Sequence, residues 1–163
     1  MKSSRKPIVN NVDQKSFVSM FENHSKFSDD RLLTLVRTCA RTVRLWCEER
    51  DNMVPFPSGD LNGYCAIASA QLWREFRDYG IKAQICMAES DNGSHVYCLV
   101  SDYVVDITAT QFEEFRNSPL NILHKKEADA YWFYRDDQVF NTDQELIKYQ
   151  RKTKWESAQV AWA

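Results

Sequence analysis

Apolar residues recur along this chain with two periods, and the change of period divides it into a helical first half and a strand-rich middle. Phe17, Met20 and Phe21 sit at i, i+3 and i+4, which predicts a short amphipathic helix behind a polar arm of residues 1–13. A longer stripe of Leu32, Leu33, Val36, Cys39, Ala40, Val43, Trp46 and Cys47 predicts a second helix, with Ser28 as its cap and Asp29 and Asp30 at its positive end. The same periodicity puts Arg37, Arg41, Arg44 and Glu48 on the outer face.

The run MVPFPSGDLNGY, with its two prolines and two glycines, breaks any regular structure. Beyond it, Ile67, Ala70, Leu72, Trp73 and Phe76 predict a third helix that opens at Cys65 and stops at Gly80. The pattern then changes. IKAQICMA, HVYCLVS and YVVDITA are rich in β-branched and aromatic residues and read as strands, with the polar turn ESDNGS between the first two. QFEEFRN predicts a helical turn stopped by Pro119, YWFY at 131–134 a further strand, and Thr142 with Glu145 a capping box for a last helix to about Trp155. Helices followed by hairpin-linked strands indicate an α+β fold with an antiparallel sheet.

At 163 residues, 44% hydrophobic and 27% charged, the chain is long and apolar enough to bury one core, so a single domain spanning 1–163 is expected. The formal net charge of −2 argues against a nucleic-acid partner, and the basic clusters at Lys125-Lys126 and Arg151 to Lys154 read as solvated faces. Five cysteines without a C-x-x-C pair suit a reducing compartment better than a disulfide scaffold. No apolar run follows the basic N-terminal residues, and none approaches a membrane span, so a cytoplasmic chain without a membrane partner is expected. Should it be a phage protein or an effector, that cytoplasm would be a host's.

Candidate chemistry concentrates in residues 63–112. Cys65 opens a helix, where the dipole and free amides stabilise a thiolate. The other four cysteines fall within apolar helical or strand runs and read as packing. If Ser101 and Asp102 form a two-residue turn, Val100 lies opposite Tyr103 and Tyr97 opposite Asp106, which puts His95 and Asp106 on one sheet face as diagonal neighbours. A register shifted by one residue would separate them. Asp106 stands among Val104, Val105 and Ile107, where an unpartnered carboxylate is costly to bury. Read singly, His95 is an ordinary strand-end histidine, Cys65 a small core residue and Asp106 an exposed-face carboxylate; together they are the parts of an activated thiol. His95 and Cys98 lie three apart on a strand and point to opposite faces, so neither a metal site nor a cofactor is expected.

These residues resemble the transglutaminase-like branch of the papain-like cysteine enzyme superfamily, in which a Cys at a helix start is followed by a His and an Asp on neighbouring antiparallel strands. Cys65, SHVY around His95 and VVDIT around Asp106 follow that order. The resemblance implies a papain-like core, with N-terminal helices packed on an antiparallel sheet, and a Cys65–His95–Asp106 triad that hydrolyses an amide in a protein or peptide substrate through a thioester. Transfer of the acyl group to an amine, and a catalytically inactive protein-binding domain with Trp155 and Trp162 in a sticky surface, are the rival expectations. The sequence departs from the family pattern at Ala66, where many members have Trp, at Ile107, where Pro is common, and at Gly59, where papain-type peptidases have Gln. The oxyanion donor is therefore expected to be the Cys65 amide, with Asn62 as a side-chain candidate.

Overall fold

The computed structural model describes residues 28–162, and the side chains of residues 29–154. The expected 1–13 arm, the helix at Phe17–Phe21, the Ser28 side-chain cap and the side chains of Trp155 and Trp162 lie outside what is described. Helix α1 runs Ser28–Met53 and α2 Cys65–Asp78; strands β1 Gln84–Ser90, β2 Gly93–Val100 and β3 Tyr103–Asp106 follow. Two 3-10 turns, Ala109–Gln111 and Glu113–Phe115, lead to β4 Asn121–His124 and the short helix α3 Lys125–Ala128. A third 3-10 turn at Trp132–Tyr134, β5 Gln138–Phe140 and α4 Asp143–Trp162 complete the order. The fold is thus α+β, with one five-stranded antiparallel sheet ordered β4-β3-β2-β1-β5. Among the described residues no helix is long and apolar enough to cross a membrane.

The stripe on α1 is buried through Val36, Cys39, Ala40, Val43 and Cys47. Arg44 departs from expectation: it is buried, not outward. Its stem lies in the core, and its guanidinium donates to the Ile107 carbonyl at 2.8 Å and to Thr110 Oγ1 at 3.0 Å, with Glu48 as counter-charge at 2.6 Å. Three satisfied interactions offset the desolvation that periodicity alone would forbid.

Helix α2 starts at Cys65 and ends as expected. Gly80 has φ +71°, its amide bonds the Arg77 carbonyl at 3.0 Å, and the next amide, that of Ile81, reaches back to Phe76 at 2.8 Å. That pair of bonds is a Schellman cap, and Phe76 and Ile81 are both buried in one apolar cluster. Ala68, Ser69, Leu72 and Phe76 make the inner face of α2, which packs on β2 and against α1. Ile67 was expected in that stripe but lies outside it and is exposed, because at 100° per residue it falls on the far side from Leu72 and Phe76.

Alternation along the strands builds two apolar layers. Val96, Cys98 and Val100 of β2 join Ile85, Met87 and Val105 beneath the helices. Cys86, Tyr97 and Val104 face the other way, onto Phe133 and Tyr134. This second layer explains why YWFY is a 3-10 turn and not a strand. Its backbone closes on itself, Tyr134 N to Tyr131 O at 3.2 Å and Arg135 N to Trp132 O at 3.2 Å, while the rings and not a ladder do the packing. Two short strands, β4 and β5, escape the periodicity. At the last helix Thr142 Oγ1 accepts the Glu145 amide at 3.2 Å, but Glu145 reaches back to the Asn141 amide at 2.8 Å, and α4 continues to Trp162.

Candidate active site

The turn at Ser101 and Asp102 sets the register that matters most. Val100 pairs with Tyr103, Leu99 with Val104 and Cys98 with Val105. His95 and Asp106 therefore share a face, and His95 Nε2 lies 2.8 Å from Asp106 Oδ2, with both side chains 1% exposed. A carboxylate only accepts, so Nε2 carries the proton and Nδ1 is the nitrogen left to face other groups. Gln111 Nε2 lies 3.4 Å from Nδ1, and the Cys65 side chain is close enough to act on the imidazole by hydrogen bonding and by charge.

Asp106 is held from both sides. Oδ1 accepts the Thr108 amide at 2.9 Å and the Thr108 hydroxyl at 3.1 Å, and Oδ2 also accepts the Tyr134 hydroxyl at 2.8 Å. Tyr134 in turn accepts from Asn121 Nδ2 at 2.8 Å. Burial alone would raise the Asp106 pKa, yet the charge and hydrogen bond of His95, with the Thr108 amide and Tyr134, hold it below the usual carboxylate range. Burial works against His95 too, but Asp106 and then Cys65 outweigh it and lift the imidazole to about 9. Phe112 meets the His95 ring edge-on at 4.8 Å and stacks on Phe133 at 3.8 Å, which keeps the imidazole dry.

The loop that delivers Cys65 is anchored from two elements. Buried Asp51, near the end of α1, accepts the Ser58 amide and hydroxyl at 3.0 Å each and the Gly59 amide at 2.8 Å. Thr110 donates to the Asp60 carbonyl at 2.9 Å while it accepts from Arg44. At and beyond these anchors Gly59, Leu61 and Gly63 all take positive φ, at 74°, 62° and 86°. Leu61 is 1% exposed, so it is burial of its side chain that compensates the strain. Among the described residues no side chain caps α2, which leaves the amides of its first turn to other acceptors.

The thiols divide sharply. Cys39, Cys47, Cys86 and Cys98 are buried, and burial pushes the first three up to about 11 and Cys98 well above its ordinary value. Cys65 is half-buried. Asn62 is exposed: its backbone amide bonds Asp60 Oδ1 at 2.9 Å, and among the described residues its side chain has no hydrogen bond to Cys65, His95 or Asp106. A groove of about 710 Å³ between α1, α2 and α4, lined by Trp46, Tyr64, Ala66, Ile67, Arg74 and Leu146 among others, includes none of the three residues.

Four contributors escaped the sequence. Thr108 had a readable signal, since Asp-x-Thr is a side-chain-capped turn. Gln111, whose amide approaches His95 Nδ1 at 3.4 Å while anchored on the Thr108 carbonyl at 2.9 Å, had none. Nor had Tyr134 and Asn121, which reach Asp106 only through the fold. No protein-family model matches this chain, and no curated protein and no solved structure matches it either.

Proposed function

We propose that this chain is a thiol-dependent amide hydrolase, in the manner of the transglutaminase-like and papain-like cysteine enzymes, with Cys65 as nucleophile, His95 as proton carrier and Asp106 as its orienting carboxylate. The observation that carries the reading is the buried 2.8 Å His95–Asp106 pair, with the one cysteine that is not fully buried close enough to act on the imidazole. Structural histidines also pair with carboxylates; what supports function here is a half-buried thiol at a helix start beside such a pair.

In this reading the Cys65 proton passes to His95 Nδ1, and the sulfur attacks the carbonyl carbon of a protein or peptide amide. The oxyanion takes the uncapped amides at the start of α2, foremost that of Cys65, while Asn62, exposed and unbonded to the three, is the weaker candidate. Collapse of the adduct breaks the C–N bond, and the amine leaves with the proton from Nδ1. Water, losing a proton to the same nitrogen, then splits the thioester and returns the thiol. An amine in place of water would give transfer by identical steps.

Intact-mass and peptide mass spectrometry after exposure to acyl 4-nitrophenyl esters tests the assignment. One acyl group on Cys65, absent in Cys65→Ala and much slower to form in His95→Gln, is expected. Acylation that survives Cys65→Ala unchanged would remove the sulfur as nucleophile. Adding glycine amide then separates hydrolysis from transfer by product.

A further inference from the structure

We infer that Tyr134, backed by Asn121, is a positioning residue that aims the Asp106 carboxylate at His95 and sets how strongly the imidazole holds its proton. The inference rests on the hydrolase reading for its meaning in catalysis, though its geometry stands without it. Asp106 Oδ2 receives two donors, His95 Nε2 at 2.8 Å and the Tyr134 hydroxyl at 2.8 Å. Both compete for charge on one oxygen, while Oδ1 is committed to Thr108. Tyr134 cannot turn away. Its hydroxyl accepts from Asn121 Nδ2 at 2.8 Å, its backbone carbonyl accepts the Tyr97 hydroxyl at 2.8 Å, and its ring packs edge-on against Tyr97 and Phe133.

Two features separate this from ordinary packing. Asn121 is the register partner of Asp106 across β3 and β4, so the carboxylate and the amide that polarises its second donor are fixed by one ladder. The chain Asn121 to Tyr134 to Asp106 is also directional, each member donating to the next, and such chains strengthen the terminal bond. A polarised phenol on Oδ2 draws charge that His95 would otherwise use. The wild-type pair is thereby kept from holding the proton too tightly for it to pass to a leaving group. Among the described residues the titratable groups facing the pair are Cys65, Tyr97 and Tyr134, and Cys98 is coupled to Asp106 by charge from the other face of the sheet.

The test is titration of His95 by 1H–15N NMR in the full chain, which needs no substrate. Tyr134→Phe keeps the ring and deletes the donor, and the His95 midpoint is expected to rise by about half a pH unit. Asn121→Ala weakens the same donor and should move the midpoint the same way by less, which covers the case in which one variant folds poorly. Tyr97→Phe, which removes the hydroxyl's bonds to the Tyr134 carbonyl and to Cys86 and keeps the ring, should lower the midpoint of urea unfolding and leave His95 where it was. An unmoved or lowered His95 midpoint in Tyr134→Phe, or an equal shift in Tyr97→Phe, overturns the inference. Acylation of Cys65 is scored separately: a His95 shift without any Cys65 acylation would uphold the positioning role and refute the hydrolase reading.

Discussion

At the scale of single residues, the His95–Asp106 pair bears on stability and, in the proposed hydrolase, on its chemistry. Asp106→Ala would strand the His95 ring, the Thr108 amide and the Tyr134 hydroxyl together, so unfolding should become easier by about 3 kcal/mol, read by urea denaturation. The pair also sets a pH signature. His95 titrates near 6.5 when unfolded and about 9 when folded, so between those values the folded chain holds the extra proton. Its contribution is complete below pH 6.5 and disappears as pH rises through 9, a swing of order 3 kcal/mol. Asp106 behaves oppositely, its contribution being lost as pH falls through its depressed folded value. The stability difference between wild type and His95→Gln should therefore shrink from pH 6.5 to 9.5; a constant difference would show that the imidazole is not held protonated. Asp106 was legible at this scale, because a carboxylate amid Val104, Val105 and Ile107 needs a partner. Tyr134 was not, since nothing within 28 positions of chain announces a phenol beneath a strand.

Among elements, the loop from Ser58 to Tyr64 decides where Cys65 sits. Its glycines are there for conformation and not for space: a Cβ at Gly59 or Gly63 would meet nothing within 4 Å, yet both have positive φ. Gly63→Ala should therefore cost about 1 kcal/mol by thermal or urea unfolding and slow alkylation of Cys65, because relief of the strain moves the start of α2. The glycine-and-proline run predicted an irregular segment and the periodicity predicted the helix after it. What neither held was the anchoring, by Asp51 from α1 and by Thr110 from beyond β3. Arg44 shows the same limit. A periodic reading assigns a charge to the outer face, and only the approach of the Ile107 carbonyl and Thr110 makes its burial tolerable.

Over the whole molecule, two apolar layers bury four thiols and leave one accessible. Iodoacetamide at neutral pH should label Cys65 alone in the native state, with the other four reacting only at the rate of global unfolding; uniform labelling would contradict the layering. The sequence by itself determined α1, α2 and the start of α4, the three central strands, the Ser101–Asp102 turn and the α+β class. These depend on the spacing of neighbours a few positions apart and on turn chemistry, both of which are local. Because side chains alternate across a strand, that one turn also put His95 and Asp106 on a common face. Tertiary structure alone decided the rest: the place of β4 and β5 at the sheet edges, the 3-10 form of YWFY, the burial of Arg44, and the convergence of Tyr134, Asn121 and Gln111 on the pair. Those outcomes follow from which surfaces meet when the layers close, and contact between distant segments leaves no period in the chain.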